Sequence, residues 1–129
     1  MPVLRLCSIL LLLLAPIPSD GGRVLVKEMA VTTRIVRGKP VDSVHRISHR
    51  SVRKLYCYSR GVKEPSMEHL KHLWSRNGTL VETVELPAPG SSFAVSSSRS
   101  VSPADVGEWR VDLATPDGRV IRSVSFRMN

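Results

Sequence analysis

The stretch that decides the fold is DVGEWRV, residues 105–111. Asp105, Gly107, Trp109 and Val111 stand in it at every second position, and successive side chains of a β-strand point to opposite faces of a sheet. These four residues therefore share one face of a predicted strand. We expect Gly107, Trp109 and Val111 to belong to the structural core of the domain.

The rest of the chain has the same strand-like character. No long segment carries apolar residues at helical spacing, and most segments either alternate or are rich in Val, Ile and Thr, which favour strands. Seven strand segments follow: residues 23–36 (one strand or a broken pair), 51–59, 69–75, 79–86, 91–101, 108–114 and 119–128. Short strands separated by turns predict an all-β, antiparallel β-sandwich.

Turn residues separate the predicted strands. NG at 77–78 is a strong hairpin signal, because both central residues of a type I′ turn need a positive φ. RGKP (37–40) and TPDG (115–118) predict two further turns. The only helix that we expect is a single turn at SPADV (102–106), capped by its serine and with proline at the first position.

Residues 1–22 have the three-part layout of a secretory signal peptide. Arg5 gives a short positive region, twelve uncharged residues follow, and small, turn-prone residues close the segment. A membrane anchor is the alternative, but a spanning helix needs about 20 apolar residues, and two prolines interrupt the run first. We therefore predict a secreted or periplasmic protein, cleaved between Ser19 and Gly22, with one domain at 23–129 and no transmembrane segment.

The charge of the chain is strongly positive and uneven. The formal net charge is +8, and residues 34–63 contain nine Lys or Arg residues against one acid. A positive field speeds encounter with polyanions, and an exported protein meets anionic lipid, wall polymer or nucleic acid. The candidate binding residues lie on or before one predicted strand: Arg46, Arg50, Arg53 and Lys54. A merely solvated face is the alternative, and sequence-specific nucleic-acid binding is not expected because no recognition helix is visible.

The motif at 105–111 resembles the corner and sixth strand of immunoglobulin-like domains, D-x-G-x-Y-x-C, in which the aromatic residue stands two positions before the second core cysteine. Trp109 takes the aromatic position here, and Val111 that of the cysteine. Cys57 in LYCYS then resembles the first cysteine, and Trp74 in HLWSRNG resembles the core tryptophan. The resemblance implies an immunoglobulin-like sandwich in which packing replaces the inter-sheet disulfide.

Blocks along nearly the whole predicted domain resemble a bacterial domain of unknown function, family 2914, which is found in exported and envelope-associated proteins. The blocks are KLYCYS, HLW with NG, VETVELP, SSRSVSP, GEWRVDLATPDGRVI and SFRM. His72 and Trp74 match the His-x-Trp of that family, whereas Phe-Ala-Val at 93–95 replaces its usual Trp-Arg-Thr, and Arg99 replaces a lysine. The resemblance implies a β-sandwich in the cell envelope and implies no reaction.

Catalytic and metal-binding patterns are weak in this sequence. His45 and His49, like Glu68 and His72, have a spacing that suits metal ligands on a helix, but their surroundings predict strand or loop, so we expect no metal and no cofactor. Cys57 is expected to be a buried, inert thiol. No G-x-S-x-G motif or glycine-rich phosphate loop is present, and no catalytic residue is assigned.

We expect a non-catalytic, exported binding or interaction module of the cell envelope. Its partner is an envelope protein or, as an alternative, an anionic polymer that binds the basic segment 34–63. A second alternative is a small-ligand or enzymatic site around His72 and Trp74. An exposed apolar sheet face favours the first, a contiguous basic surface the second, and a concave pocket at His72 the third. The sequence leaves the identity of the partner and the oligomeric state open.

Overall fold

The computed structural model describes residues 23–129, and the predicted signal peptide (residues 1–22) lies outside the described residues. Within 23–129 the chain is all-β apart from one short 3₁₀ turn, as predicted. Seven strands of eight to ten residues build the fold: β1 (Val24–Thr32), β5 (Lys54–Lys63), β6 (His69–Arg76), β7 (Thr79–Pro87), β8 (Ser92–Ser100), β9 (Gly107–Ala114) and β10 (Val120–Met128). Three two-residue strands complete it: β2 (Ile35–Val36), β3 (Lys39–Pro40) and β4 (Arg46–Ile47).

Two sheets pack against each other as a sandwich. One sheet has the strand order β1-β5-β8, the other has the order β4-β10-β9-β6-β7, and β2 and β3 form a separate hairpin. The pairings are antiparallel except that of β4 with β10, which is parallel. Buried residues of both sheets share one core cluster. The predicted all-β sandwich is therefore confirmed.

The core lies between the sheets and follows from strand alternation. Leu55 and Cys57 enter it from the three-stranded sheet, and Trp74, Val111 and Leu113 enter it from the five-stranded sheet; each is at most 1% exposed. Trp74 lies beside Val111 in the register of β6 and β9. The two positions that carry the disulfide in immunoglobulin-like domains thus lie in opposite sheets of one shared core.

Aromatic rings fill one region of this core. Trp109 meets Trp74 edge to face, with ring centroids 6.3 Å apart and planes at 78°. On its other side Trp109 stacks on Phe126, with centroids 6.0 Å apart and planes at 11°. Aromatic pairs favour these arrangements because of their quadrupoles. The tryptophan of the opening motif therefore connects β6, β9 and β10.

The predicted turns are present. Asn77 and Gly78 have φ angles of 50° and 83° in the hairpin between β6 and β7, and Arg37 and Gly38 have φ angles of 53° and 76° between β2 and β3. Two-residue hairpin turns with positive φ match the right-handed twist of their strands. The 3₁₀ turn Pro103–Asp105 has the serine cap and the proline that SPADV predicts.

Strand β5 differs from the segment predicted at 51–59. It begins at Lys54 and continues through Gly61 to Lys63. A Cβ atom on Gly61 would lie 2.1 Å from the carbonyl oxygen of Leu25 in β1. Glycine in a strand commonly marks such a close backbone approach. In the sequence Gly61 looks like the end of a strand, but in the structure its lack of a side chain lets β1 pair with β5 at this point.

One end of the sandwich gathers several connections. β1 ends and β5 begins there, since Thr32 pairs with Tyr56. β10 ends there beside the start of β9, since Met128 pairs with Gly107. Residues 33–54 cross this end and include the hairpin β2–β3 and strand β4. We call the segment 33–54 the basic end, for the charges described below.

Replacing Val111 with Cys tests how the two sheets face each other. Val111→Cys should form a disulfide with Cys57 on mild oxidation, because both positions are 0% exposed in the shared core and a bridge needs Cα atoms about 4.4–6.8 Å apart. Mass spectrometry after alkylation of the unfolded protein counts the free thiols. Arg110→Cys, on the exposed face of β9, should form no bridge. A fully reduced Val111→Cys protein would show that the sheets are offset.

Candidate functional site

A buried polar bridge joins the two sheets. His72 of β6 is 0% exposed. Its Nε2 lies 2.9 Å from Ser59 Oγ on β5, and its Nδ1 lies 2.7 Å from Ser97 Oγ on β8. Trp74 Nε1 donates to the same Ser97 Oγ at 3.0 Å. Hydrogen bonds thus cross the core from the five-stranded sheet to both the central and the edge strand of the other sheet.

The imidazole in this bridge is neutral at pH 7, because burial lowers the pKa of His72 to about 4. A neutral ring has one N–H, so it donates on one side and accepts on the other. A chain in which Trp74 donates to Ser97, Ser97 to His72, and His72 to Ser59 satisfies all three contacts. Protonation would bury a charge without a carboxylate partner in the bridge, which is costly.

The bridge is not accessible to a ligand. Ser59 and His72 have the separation of a nucleophile and its base, but both are 0% exposed, and a substrate reaches neither without separating the sheets. The geometry therefore supports a structural role for His72. The sequence pointed to His72 and Trp74 but not to the serines. Ser97 lies in a run of serines, and a run of identical residues does not show which of them faces the core.

Cys57 also lies out of reach of solvent. It is 0% exposed, and burial raises the pKa of its thiol well above the ordinary value. The thiolate is the nucleophilic form of cysteine, and this environment suppresses it. The position supports the inert role that the sequence analysis gives to this residue.

The spacing of the opening motif is explained by a corner at the start of β9. Trp109 Nε1 donates to the backbone oxygen of Asp105 at 2.7 Å, as the corner tyrosine of immunoglobulin-like domains bonds to the backbone upstream. Gly107 has a φ of 145°, and a Cβ there would lie 2.8 Å from Asn77 Oδ1. That Oδ1 accepts from the Glu108 amide at 2.9 Å. Gly107 is half-buried rather than part of the predicted core, and its lack of a Cβ atom makes room for the Asn77 side chain.

Arg99 contacts three residues around this corner. Its guanidinium carbon lies 5.2 Å from the centroid of the Trp109 ring, a cation–π distance. Its Nη1 lies 2.7 Å from Glu82 Oε1, and its Nη2 lies 4.0 Å from Asp105 Oδ1. Because Arg99 is on β8 and Glu82 on β7, the ion pair joins the edge strands of the two sheets. The sequence marked Arg99 only as a replacement for lysine and gave no signal of its partners.

A cleft of about 420 Å³ opens next to Arg99, a volume within the usual range for small-molecule sites. It is lined by Arg76, Asn77, Thr79, Val81, Asp105 and Trp109. Both charged side chains of the lining already have partners: Arg76 donates to the backbone oxygen of Ala104, and Asp105 accepts from the backbone amide of Ser102. Trp109 is only 3% exposed. We assign no ligand to this cleft.

The basic end carries a second, open surface. Seven of its cations are exposed: Arg34, Arg37, Lys39, Arg46, Arg50, Arg53 and Lys54. None of the seven forms an ion pair within residues 23–129. The other two cations of the 34–63 segment differ, since Arg60 lies 3.4 Å from Glu28 and the buried Lys63 donates to the Gly90 carbonyl at 2.5 Å.

The four predicted binding residues of this segment come from both sheets. Arg46 lies on β4, in the five-stranded sheet. Lys54 begins β5 of the three-stranded sheet, and Arg50 and Arg53 lie in the connection between them. The four residues thus extend across one end of the sandwich rather than along a single strand.

Asp42, the one acid of residues 34–63, is exposed, and hydrogen bonds fix its position in the basic end. Thr32 Oγ1 and Thr33 Oγ1 each donate to its carboxylate at 2.6 Å, and the Thr33 amide donates at 2.8 Å. Burial raises the pKa of Asp42, but these hydrogen bonds outweigh it, so the pKa lies below its ordinary value. The carboxylate fastens the two ends of the hairpin that lies between Thr33 and Asp42.

The described residues provide neither a cluster of metal ligands nor a membrane-spanning helix. In the described range 23–129, no three His, Cys, Asp or Glu side chains lie close enough together to hold a metal ion. That same part of the chain has no helix that is long and apolar enough to cross a membrane. The two histidine pairs of the sequence analysis separate: His45 and His49 flank β4, and Glu68 is exposed whereas His72 is buried.

Similarity to known proteins covers the fold and part of the sequence. Residues 67–128 match the model of a family described as a protein of unknown function, DUF2914, which confirms the resemblance over that segment. An immunoglobulin-like protein from Pseudomonas aeruginosa has a similar crystal structure, with a TM-score of 0.54 and 12% identity over 85% of this chain and 98% of that chain. This likeness confirms the immunoglobulin-like fold. No curated protein matches the chain.

The buried bridge should make stability depend on pH. The pKa of His72 is about 4 when folded, against an ordinary value of 6.5, so the unfolded state binds more protons between these values. The free energy of unfolding should therefore fall as the pH drops from about 6.5 to about 4, by roughly 3 kcal/mol in all. Urea unfolding across this pH range measures it.

A comparison of variants isolates this contribution. His72→Gln should remove it, and its stability should vary less with pH than that of the wild type. His69→Gln is the matched control, because the His69 side chain is 45% exposed beside Glu85, and it should keep most of the wild-type dependence. Parallel curves for the wild type and His72→Gln would contradict the neutral buried ring.

Proposed function

We propose that the chain, of which residues 67–128 match the model of the DUF2914 family of unknown function, is a non-catalytic binding module of the cell envelope whose basic end binds anionic polymers. The observation that carries the proposal is the group of seven exposed cations without ion pairs at one end of the described sandwich. A positive surface of this kind raises the encounter rate with polyanions, and it binds them by releasing their counterions.

The pairing of charges elsewhere supports this assignment. Arg99 has Glu82 as a partner at 2.7 Å. Arg110 Nε lies 2.9 Å from Asp112 Oδ1, and Arg127 pairs with Glu108. Ion pairs neutralise these cations on the faces of the sheets, whereas the cations of the basic end are available to an external anion. Arg23, Lys27 and Arg122 are also exposed without an ion pair in the described chain. What distinguishes the basic end is therefore the concentration of seven such cations within residues 33–54.

The non-catalytic part of the proposal is supported by burial. Cys57, Ser59 and His72 are the groups whose chemistry most resembles a nucleophile or a base, and all three are 0% exposed. Their hydrogen bonds and packing are directed to the core. A role in holding the sheets together accounts for each of them without a reaction.

The proposed location is secreted or periplasmic. The pattern of residues 1–22 predicts a signal peptide, and the resemblance to family 2914 implies an association with the envelope. Anionic lipids and wall polymers are the polyanions of that compartment, which agrees with a basic binding surface.

A protein partner is a second candidate, favoured by edge strand β7. Leu80 and Val81 of this strand are 56% and 44% exposed. The register shift between Trp74 and Ser75 leaves Val81 as a bulge, and bulges limit edge-to-edge pairing with another strand. A partner at this edge would therefore contact side chains rather than extend the sheet.

Retention on heparin across a salt series tests the binding of polyanions. Replacing Arg46, Arg50, Arg53 and Lys54 together with Ser should lower the salt concentration of elution. If all four contact the polyanion, the slope of log K against log salt should decrease by roughly 3. The fold should survive, because all four side chains are exposed, and circular dichroism checks this.

The matched control removes four exposed cations from the opposite end of the sandwich: Arg23, Lys27, Arg119 and Arg122. This variant has the same net charge but should keep most of the wild-type retention. An equal loss in both variants would show that total charge, and not the basic end, determines binding. Retention that does not change with salt would refute the counterion mechanism.

Removal of the signal peptide is tested by mass. The exported protein should lack about 19 to 22 N-terminal residues, because cleavage follows the apolar region of a signal peptide. Intact mass of the protein from the envelope or secreted fraction measures this. A full-length mass in that fraction would favour an uncleaved anchor instead.

A further inference from the structure

The hairpin of residues 34–41 reaches out from the basic end. Three residue pairs face each other along it: Arg34 with Val41, Ile35 with Pro40, and Val36 with Lys39. Its turn is Arg37-Gly38, and a Cβ atom on Gly38 would have no heavy atom within 4 Å. The tip of the hairpin is therefore open to an approaching surface.

Register gives this hairpin two different faces. Paired residues of neighbouring strands share a face, and successive pairs alternate between faces. Ile35 and Pro40 share one face, and both are half-buried. The opposite face, which we call the outer face, consists of two valines and two cations, all exposed: Arg34, Val36, Lys39 and Val41.

The outer face combines apolar area with free charge. Val36 is 42% exposed and Val41 is 47% exposed. Arg34 and Lys39 have no ion pair in the described chain, and the same holds for Arg37 at the tip. The two valines and the three cations thus give this part of the hairpin both apolar area and positive charge.

Resting on the proposed function, we propose that the outer face docks on an anionic lipid bilayer. Basic residues near such a surface are attracted by its negative potential. Apolar side chains beside them enter the boundary between headgroups and acyl chains. Wall polymers and nucleic acids supply the negative charge but no apolar layer. Among the anionic partners of the envelope, only a lipid bilayer can bind both the cations, through its negative headgroups, and the valines, through its apolar interior.

Binding to vesicles separates the two contributions. The exported protein is sedimented with vesicles of phosphatidylcholine alone or mixed with phosphatidylglycerol, and heparin retention is measured in parallel. Val36→Ser combined with Val41→Ser should lower partitioning to the anionic vesicles by about tenfold, since two partly inserted valines are lost. Its heparin retention should equal that of the wild type, because no charge changes.

Two further variants serve as controls. Leu25→Ser combined with Val120→Ser removes side chains that are 62% and 50% exposed at the opposite end of the sandwich, and it should partition like the wild type. Arg34, Arg37 and Lys39 changed together to Ser should weaken binding to heparin and to anionic vesicles alike, by about fivefold per charge on the vesicles.

The outcomes distinguish this inference from the proposed function. Wild-type partitioning of the Val36/Val41 variant, with heparin binding intact, overturns docking on the bilayer and leaves polyanion binding in place. An equal loss in the Leu25/Val120 control also overturns the docking. Absence of wild-type binding to both heparin and anionic vesicles overturns the proposed function itself.

A fluorescent label gives a second, independent reading. The exported protein should lack Cys7, which lies in the predicted signal peptide, and its remaining Cys57 is 0% exposed. A Val36→Cys change therefore places an environment-sensitive dye at the hairpin alone. Its emission should shift to the blue with anionic vesicles and remain unchanged with heparin. The same dye at Val120→Cys should not respond. No shift at position 36 on vesicles that bind the protein overturns the proposal.

Discussion

The hydrogen bonds of His72 to Ser59 and Ser97 cross the interior between the two sheets. A buried polar group that loses its partner costs free energy, and a slip of one residue along a strand turns its side chains to the other face. The bridge therefore fixes the register of β5, β6 and β8 relative to one another. Because Val111 stands where immunoglobulin-like domains have their second core cysteine, no disulfide can join the two sheets there. The hydrogen bonds of the bridge instead join the sheets at defined positions, which apolar packing alone does not do.

The remaining contacts follow from that register. With β6 and β8 fixed across the core, Trp74 is placed to donate to Ser97 and to meet the ring of Trp109. The indole of Trp109 donates to the backbone oxygen of Asp105 and so fixes the corner before β9. Arg99, on edge strand β8, lies over the Trp109 ring. The contact of the two tryptophan rings, the hydrogen bond at the corner and the ion pair between Arg99 and Glu82 thus lie next to one another on one side of the molecule.

Features with local causes could be predicted from the sequence. Alternation and β-branched residues located the seven long strands, and turn chemistry located the hairpin at Asn77-Gly78 and the 3₁₀ turn. The length of β5 could not be predicted, because the need for Gly61 arises from the backbone of β1. In a run of serines nothing marks the one that faces inward, so Ser97 was missed for the same reason: its role is set by another strand.

The candidate surface was predicted in composition but not in shape. Counting charges was enough to find the cations of residues 34–63, since charge is a property of each residue. Their spread over both sheets depends on the parallel pairing of β4 with β10, a contact between segments far apart in the chain. No local pattern reports such a contact, and the exposed outer face of the hairpin likewise becomes visible only from its register.

The pairing of Arg46 and Ile47 with Arg127 and Met128 has a consequence for how the molecule assembles. It joins the early part of the sandwich to its last strand, so the loop that it closes contains most of the chain. Contacts of such long range form late in folding, because the entropy of closing the loop is lost before the contact is gained. The β4 part of the basic end thus reaches its place only after β10 has formed, whereas the hairpin of residues 34–41 is held by contacts within residues 32–42. In an incompletely synthesised chain the cations around β4 are present without their final arrangement.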